Sequence, residues 1–284
     1  MPTAEQIESF RREGFVVVPD LLGDDEVEAL GAAVDRAVAS RKSWDRRVLA
    51  EKSRYEQSFE QCINLWEDFA DVRPLTFHRR VAETAAALLG VPRLRLWHDQ
   101  ALYKEPGGRE TDAHQDHAYW PMRETETLTA WIPFDGSRID AGAMAYVPGS
   151  HRFGIRKFVN IFFEDKPYDL VHGPEARGVE PVFVEVPRGA VAYHHGLTFH
   201  LAGPNRTADM RRVHTMIYFA DGCTRRGEFP HPSVDRGKVA DGALIDSVFT
   251  PVVWPRGESE MPPIPPRPPE MMWGWPPPRA EGES

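Results

Sequence analysis

The sequence predicts a mainly β protein, a sandwich or a jelly roll, with helices packed around it. After Pro92, short runs of aromatic and β-branched residues follow one another, separated by Gly, Pro or Asp turn signals. Most of these runs have no helical segment between them, which disfavours a parallel α/β sheet. All-β folds of 284 residues often form one domain. We therefore expect one domain over residues 1–250, with a helical part at about 1–91 and a β core at about 92–222.

The first third of the chain predicts the peripheral helices. Ile7 and Phe10 share one face of a short helix that ends at Gly14, and a β-branched run follows. Acidic residues at positions 24 and 25 then begin a second helix with a continuous apolar face, and a third helix ends at Gly90. Residues 41–76 alternate between polar and aromatic stretches and predict only short helix.

Residues 251–284 predict a proline-rich tail. Eleven prolines occur among residues 251–278, a density that is incompatible with regular helix or a central strand. Polyproline II or an extended segment wrapped on the domain is the expected conformation.

Composition excludes several classes of protein. The formal charge of −9 argues against a general nucleic-acid binder or a binder of anionic membranes. Cys62 and Cys223 have neither a disulfide framework nor zinc-ligand spacing, which is typical of a reducing compartment. The first residues lack a signal-peptide pattern, and no run of 18 apolar residues occurs. We expect a cytoplasmic protein that does not cross a membrane.

His114 and Asp116 are the first candidates for metal ligands. In a strand, residues i and i+2 face the same way, so both side chains can point at one ion while Gln115 points elsewhere. Imidazole and carboxylate suit iron(II), manganese or zinc, and a second histidine would complete a facial set of three ligands with open positions.

His200 is the preferred third ligand. It follows a short apolar stretch and precedes a Gly-Pro-Asn turn, after which Arg211 begins another strand-like run. A hairpin there would bring a guanidinium close to the metal. His194 and His195 are nearby alternatives, although either would change the spacing to the arginine.

Together with several further motifs, these residues make the chain resemble the phytanoyl-CoA dioxygenase family of iron(II)- and 2-oxoglutarate-dependent oxygenases. The motifs that carry the resemblance occur in the family's order and spacing between about Ile7 and Phe219: FRREGFVVVPDLL, LWHDQALYKEPG, HQDHAYWP, LTAWIPFD, GAMAYVPGSHRFG and FHLAGPNRTADMRR. The resemblance implies a double-stranded β-helix (a cupin-like jelly roll) and iron(II) held by His114, Asp116 and His200.

The resemblance also implies a cosubstrate site. Arg211 occupies the position of the family's arginine that pairs with the distal carboxylate of 2-oxoglutarate, and a guanidinium forms two hydrogen bonds to a carboxylate. Arg212, on the other strand face, is the competing choice. Lys104 and Trp131 match positions that border the cosubstrate, although a solvated lysine and a core tryptophan are equally compatible with the sequence. Thr129 shares a strand face with Trp131 and offers a further hydroxyl donor.

Two residues refine the expected chemistry. The family often has serine two residues after the second histidine, whereas this chain has Ala202, so Thr129 is expected to compensate in cosubstrate binding. Halogenating relatives replace the carboxylate with a small residue. Because Asp116 is present, hydroxylation or a related oxidation is expected instead.

The substrate candidates lie beside the metal motif and in the helical region. Tyr119 and Trp120 are expected to line the substrate mouth, or to pack against the jelly roll. Gln57, Gln61 and Asn64 are expected to reach the pocket, or to lie on a half-exposed helix.

The expected function is therefore a dioxygenase that oxidises an unactivated C–H bond of a small molecule, with iron(II) as cofactor and 2-oxoglutarate and O2 as cosubstrates, and releases succinate and CO2. One alternative is a non-catalytic jelly-roll module that binds a small molecule or a metal. Another is a cupin-type metalloenzyme without 2-oxoglutarate, which would leave Arg211 without a role.

Overall fold

The chain folds into two facing antiparallel sheets with helices on the outside of the larger one. The structure, a computed structural model, describes residues 1–257 and 260–267. Its helices are α1 (Ala4–Glu13), α2 (Asp24–Arg41), α3 (Leu65–Asp68), α4 (Arg73–Thr76), α5 (Arg79–Leu89) and α6 (Pro232–Asp235). Its strands are β1 (Phe15–Val18), β2 (Glu60–Ile63), β3 (Leu94–Tyr103), β4 (Thr111–His114), β5 (Thr127–Pro133), β6 (Met144–Tyr146), β7 (Val182–Val184), β8 (Val191–His195), β9 (His200–Ala202), β10 (Val213–Ala220) and β11 (Val252–Trp254).

The sheet order is that of a jelly roll. The larger sheet runs β1-β8-β5-β10-β3-β11, with β2 also paired to β3, and the smaller sheet runs β4-β9-β6-β7. Trp131 of β5 and Ala192 of β8 pack with Met144, Tyr146 and Ala202 of the smaller sheet in one buried cluster. The two sheets therefore meet face to face, and the predicted fold class is confirmed.

Strand β5 illustrates how the sequence divides the two faces of the larger sheet. Leu128, Ala130 and Ile132 join the core cluster that includes α1, α2 and α5, whereas Trp131 lies in the cluster between the sheets. Alternate residues of a strand face opposite ways, so one strand serves both the helical layer and the interior. The interior face carries the polar residues from which the site is built.

The three longer helices follow the predicted pattern. Thr3 caps α1 through a capping box with Gln6, and α1 ends at Gly14, whose φ of 83° is in the left-handed region. Helix α5 ends in the same way at Gly90 (φ 71°). Among the described residues, no helix combines the length and the hydropathy that crossing a membrane requires.

Two expected boundaries are corrected by strand pairing. The region of about 1–91 contains β1 and β2, and both hydrogen-bond into the larger sheet. The tail was expected to begin at residue 251, but β11 lies beyond that point and pairs with β3. We propose that residues 1–257 form one domain.

The described part of the tail contacts the domain. Residues 260–267 have no helix or strand, and the carbonyl of Pro266 accepts a hydrogen bond from Arg236 (2.7 Å). The rest of the proline-rich segment, 268–284, lies outside the described residues.

Candidate metal centre

Two histidines face each other across the smaller sheet. His114 ends β4 and His200 begins β9, and the two are direct partners in the antiparallel register. Their ring centroids are 4.3 Å apart. Strand pairing thus brings together two imidazoles that are 86 positions apart in the sequence.

Asp116 lies beside the two histidines, but its backbone conformation differs in part from the prediction. Strand β4 ends at His114, and Asp116 is the first residue of a 3-10 turn rather than a strand residue. Gln115 between them is extended (φ −114°, ψ 130°), which preserves the alternation that the prediction required. The Gln115 amide turns away and donates to the carbonyls of Leu197 (2.7 Å) and Gly154 (3.0 Å), which fixes the turn.

The three side chains present lone pairs to one point. Their ligand atoms all lie within 4.8 Å of one another. Asp116 Oδ1 is 3.6 Å from His114 Nε2 and 3.5 Å from His200 Nε2. Each Nδ1 lies beside a backbone carbonyl, that of Asp112 for His114 (2.7 Å) and that of Thr198 for His200 (3.0 Å). Since a carbonyl only accepts, each Nδ1 carries a hydrogen, and the neutral form of each ring then presents the lone pair of Nε2 to an ion.

The charges favour a cation at this point. Burial, together with the neighbouring His114, lowers the pKa of His200 to about 3, so the ring is neutral at pH 7. Burial raises the pKa of Asp116, but the surrounding imidazoles outweigh it and hold that pKa well below its usual range. Two imidazole nitrogens and a carboxylate oxygen converge on this point. This donor set fits iron(II) and leaves other coordination positions open.

The second oxygen of Asp116 has two partners that the sequence analysis did not assign to it. Thr129 Oγ1 donates to Oδ2 (2.8 Å), and His194 Nε2 lies 3.1 Å from the same oxygen. The Tyr146 hydroxyl lies 3.4 Å from His194 Nδ1. Thr129 was expected to contact the cosubstrate, and in the structure its hydroxyl bonds Asp116. The inward direction of His194 could have been predicted from strand alternation, but its contact with Asp116 could not.

Arg211 is buried at the other end of the interior without an acidic partner among the described residues. Its Nη1 donates to the carbonyl of Gly142 (2.6 Å), and its Nε has no hydrogen-bond partner there. The guanidinium carbon lies 5.5 Å from the ring centroid of Trp131, which is itself buried. Burial alone lowers the pKa of Arg211 to about 10. A buried cation with an unused N–H fits an incoming carboxylate.

Lys104 lies beside Arg211 and is fully buried. The two residues exchange backbone hydrogen bonds of 3.0 Å, and Lys104 Nζ donates to the carbonyl of Arg109 and to Thr111 Oγ1 (3.4 Å). Burial, followed by the charge of Arg211, lowers the pKa of Lys104 to about 6. Thr111 is the strand partner of Ala202, so a hydroxyl is present directly opposite the position where the family often has serine.

Arg212, the competing arginine, points the other way. It forms ion pairs with Asp135 and Asp35 and is more exposed than Arg211. The structure therefore separates the two arginines as strand alternation predicts.

The two aromatic residues after the metal motif have different surroundings. The Tyr119 ring centroid lies 5.6 Å from that of His114, and its hydroxyl donates to the carbonyl of Val159 (2.7 Å). Trp120 is only 4% exposed and packs in the cluster of Trp97. The packing interpretation therefore fits Trp120, while Tyr119 borders the metal site.

The three polar candidates from the helical region do not form one cluster. Gln61 accepts from the Tyr55 hydroxyl and donates to Gln100 on the adjacent strand β3. The Gln57 amide donates to a backbone carbonyl of the preceding turn. Asn64 is 3% exposed, precedes α3 in a left-handed conformation (φ 52°), and its Oδ1 has no partner among the described residues. Their roles toward a substrate stay predictions.

Comparisons with known proteins identify the family of the chain. The family model described as phytanoyl-CoA dioxygenase (PhyH) matches residues 10–213. A relative from Stutzerimonas stutzeri, named "Probable alpha-ketoglutarate-dependent hypophosphite dioxygenase", is 27% identical over 170 residues, which cover 57% of this chain and 59% of that protein.

Two solved structures from nogalamycin biosynthesis have a similar fold. The non-heme alpha ketoglutarate dependent carbocyclase SnoK has a TM-score of 0.72 at 26% identity, over 88% of this chain and 96% of its own. The epimerase SnoN, in complex with Fe3+, alpha ketoglutarate and nogalamycin RO, has a TM-score of 0.72 at 25% identity, over 88% and 97%. With the family model matching most of its length, the chain belongs to the phytanoyl-CoA dioxygenase family of iron(II)- and 2-oxoglutarate-dependent oxygenases.

Proposed function

We propose that the chain binds iron(II) through His114, Asp116 and His200 and hydroxylates, or otherwise oxidises, an unactivated C–H bond of a small molecule. The observation that carries the proposal is the convergence on one point of one carboxylate oxygen and the Nε2 atoms of two histidines whose Nδ1 atoms face backbone carbonyls. When bound, iron(II) with 2-oxoglutarate and O2 supplies the oxidant for the C–H bond, and the cosubstrate leaves as succinate and CO2.

The cosubstrate lies, in this proposal, between the metal ligands and Arg211. Thr129 bonds Asp116, and Trp131, two residues along the same face of β5, packs against Arg211. Two residues of strand span about 6.6 Å, a length that suits a five-carbon dicarboxylate held at both ends. Arg211 binds the distal carboxylate with its unused N–H groups.

Lys104 and Thr111 complete the distal end of the cosubstrate pocket. Lys104 adds a second positive charge when the carboxylate raises its pKa. The Thr111 hydroxyl accepts from Lys104, which leaves its own hydrogen for donation to the cosubstrate. We propose that Thr111 supplies the hydroxyl that Ala202 lacks, while Thr129 serves Asp116.

A row of aromatic rings leads from the surface to His114. Phe158 is 43% exposed, and its ring centroid lies 5.1 Å from that of Tyr119. Phe162 packs on the other side of Tyr119 at 5.4 Å and contacts Tyr55 at 4.8 Å. Such rings bind apolar surface and add a preference for other rings. We propose that an apolar part of the substrate packs against Tyr119 and Phe158.

The reaction outcome is a finer question than the enzyme class. The structurally similar proteins are named a carbocyclase and an epimerase, so cyclisation and epimerisation stand beside hydroxylation as outcomes. Product mass separates them: hydroxylation adds about 16 mass units, cyclisation removes about 2, and epimerisation changes nothing.

The proposal is tested by anaerobic reconstitution with iron(II), followed by O2 and 2-oxoglutarate labelled at its C1 carboxylate. The protein is expected to release labelled CO2 and equimolar succinate, faster with substrate from a screened panel. Asp116→Ala and His200→Ala are expected to abolish release. Turnover that persists in both variants would contradict the ligand assignment, and binding of 2-oxoglutarate without turnover across the panel would favour the non-catalytic module.

We also propose a reducing compartment, the cytoplasm, as the location. Cys62 and Cys223 are both free and buried. Fractionation of cells that express the tagged chain is expected to recover it with cytoplasmic markers, and recovery with an exported marker would contradict the proposal.

A further inference from the structure

The two oxygens of the Asp116 carboxylate have different surroundings. Oδ1 faces Nε2 of His114 and of His200, whereas Oδ2 accepts from Thr129 (2.8 Å) and lies 3.1 Å from His194 Nε2. A carboxylate without such partners is free to rotate or to bind a metal through both oxygens. Two partners on Oδ2 select Oδ1 as the ligand atom.

The larger sheet fixes both partners. Thr129 of β5 and His194 of β8 are direct neighbours in the antiparallel register, and both face the interior. Both are buried, with His194 only 1% exposed. A strand residue in a fully paired sheet has little conformational freedom. The sheet therefore holds both groups toward one oxygen, and no loop has to become ordered for this contact to form.

The contact to Asp116 determines which His194 nitrogen carries the hydrogen. If Nε2 were unprotonated, its lone pair would face the negative Oδ2 at 3.1 Å, which is repulsive. Nε2 therefore donates, and Nδ1 accepts from the Tyr146 hydroxyl at 3.4 Å. Tyr146 is held in turn by the pairing of β6 with β9 opposite His200, and by stacking on Phe15 at 4.6 Å.

We propose that His194 is a positioning residue that holds Asp116 as a one-oxygen metal ligand, with the Tyr146 hydroxyl on its other nitrogen holding the ring in place. We do not assign His194 as a ligand because, among the described residues, the group whose ligand atoms lie within 4.8 Å of one another consists of His114, Asp116 and His200. One-oxygen ligation uses one coordination position instead of two and so leaves room for the cosubstrate and O2. This inference rests on the proposed function, since it concerns the same metal site.

The test measures metal affinity rather than turnover. Manganese(II), which has the same preference for N and O ligands, is titrated into the full chain under anaerobic conditions and followed by its electron paramagnetic resonance signal. His194→Leu removes the donor at similar volume and is expected to weaken the affinity by about 10- to 100-fold, the usual effect of removing a partner of a metal ligand. His194→Gln places an amide N–H near the position of Nε2 and is expected to restore the affinity to within about 5-fold.

Matched controls separate positioning from ligation and from folding. His195→Gln changes the adjacent histidine, which accepts from the Leu197 N–H and does not contact Asp116, so it is expected to leave the affinity unchanged. His200→Gln removes a ligand and is expected to abolish binding. If His194→Gln binds manganese as poorly as His200→Gln, His194 is a ligand and the inference is wrong.

Two smaller variants serve if His194→Leu does not fold, as judged by circular dichroism and thermal unfolding of the apoprotein. Tyr146→Phe and Thr129→Val each remove one hydroxyl at nearly constant volume and are each expected to weaken the affinity by about 3- to 10-fold. Wild-type affinity in both variants would overturn the inference. Failure of the wild-type chain to bind manganese or to decarboxylate 2-oxoglutarate would instead overturn the proposed function.

Discussion

Replacement of Arg211 tests the cosubstrate site most sharply. The side chain is buried, has no acidic partner among the described residues, and has an unused Nε–H. A carboxylate bound there would accept two charge-assisted hydrogen bonds, each worth about 1.5–3 kcal/mol. Arg211→Leu is therefore expected to cost about 3 kcal/mol or more of binding free energy, which raises the Kd for 2-oxoglutarate by at least about 100-fold.

The neighbouring arginine provides the matched control. Arg212→Leu removes a similar side chain, but its partners are Asp35 and Asp135 on the outer side. It is expected to lower the stability by about 1 kcal/mol or less while changing the Kd by no more than about 2-fold. Arg211→Lys keeps the positive charge but lacks the planar guanidinium, and it is expected to raise the Kd for 2-oxoglutarate by about 10-fold, between the effects of Arg212→Leu and Arg211→Leu.

The assay is isothermal titration of 2-oxoglutarate into the manganese-loaded protein without oxygen, with circular dichroism as the check on folding. Manganese replaces iron so that binding is measured apart from turnover. If Arg212→Leu weakens binding and Arg211→Leu does not, the assignment of the two strand faces is wrong.

The remaining predictions concern a buried lysine, the aromatic mouth and the core. Burial lowers the pKa of Lys104 to about 6, so between that pH and the ordinary lysine pKa of about 10.4 the unfolded chain binds one more proton than the folded apoprotein. As the pH rises through this range, the free energy of unfolding therefore increases by up to about 1.4 kcal/mol per pH unit from this group. Lys104→Met is expected to flatten that slope in denaturant titrations at several pH values. An unchanged slope would contradict burial of the amine in its neutral form. Phe158→Ala is expected to raise the KM for an identified substrate by about 5-fold or more, whereas Phe163→Ala, 90% exposed, is expected to leave it unchanged; equal effects would contradict the proposed mouth. Trp120→Ala is expected to lower the free energy of unfolding by about 3–5 kcal/mol by opening a cavity beside Trp97, and a loss below about 1 kcal/mol would contradict its core position.

Local patterns in the sequence are sufficient for the three longer helices, for alternating strands such as β5 and for the metal motif. The capping residue and the left-handed glycine mark the ends of α1, and the alternation along β5 separates its core face from its interior face. His114, Asp116 and His200 were named from spacing and resemblance, and the structure brings their ligand atoms together. These features depend on neighbouring residues or on motifs of fixed spacing.

The partners of the metal ligands depend on strand register instead. His194 contacts Asp116 because β5 and β8 pair with Thr129 opposite His194, and a slip of β8 by one residue would turn His194 to the other face of the sheet. Register is set by contacts between distant segments, which the sequence alone does not specify. The different surroundings of Tyr119 and Trp120 have a related cause: the 3-10 turn that begins at Asp116 directs Tyr119 toward His114 and Trp120 toward the core.

The most direct test of the account is a crystal structure of the protein with iron(II) and 2-oxoglutarate, grown without oxygen and measured at the iron absorption edge. The account predicts one anomalous peak within about 2.2 Å of Nε2 of His114, Nε2 of His200 and Oδ1 of Asp116. It further predicts the far carboxylate of 2-oxoglutarate at Arg211. A peak bound by His194 or His195, ligation through both oxygens of Asp116, or a carboxylate that leaves Arg211 unpaired would contradict it.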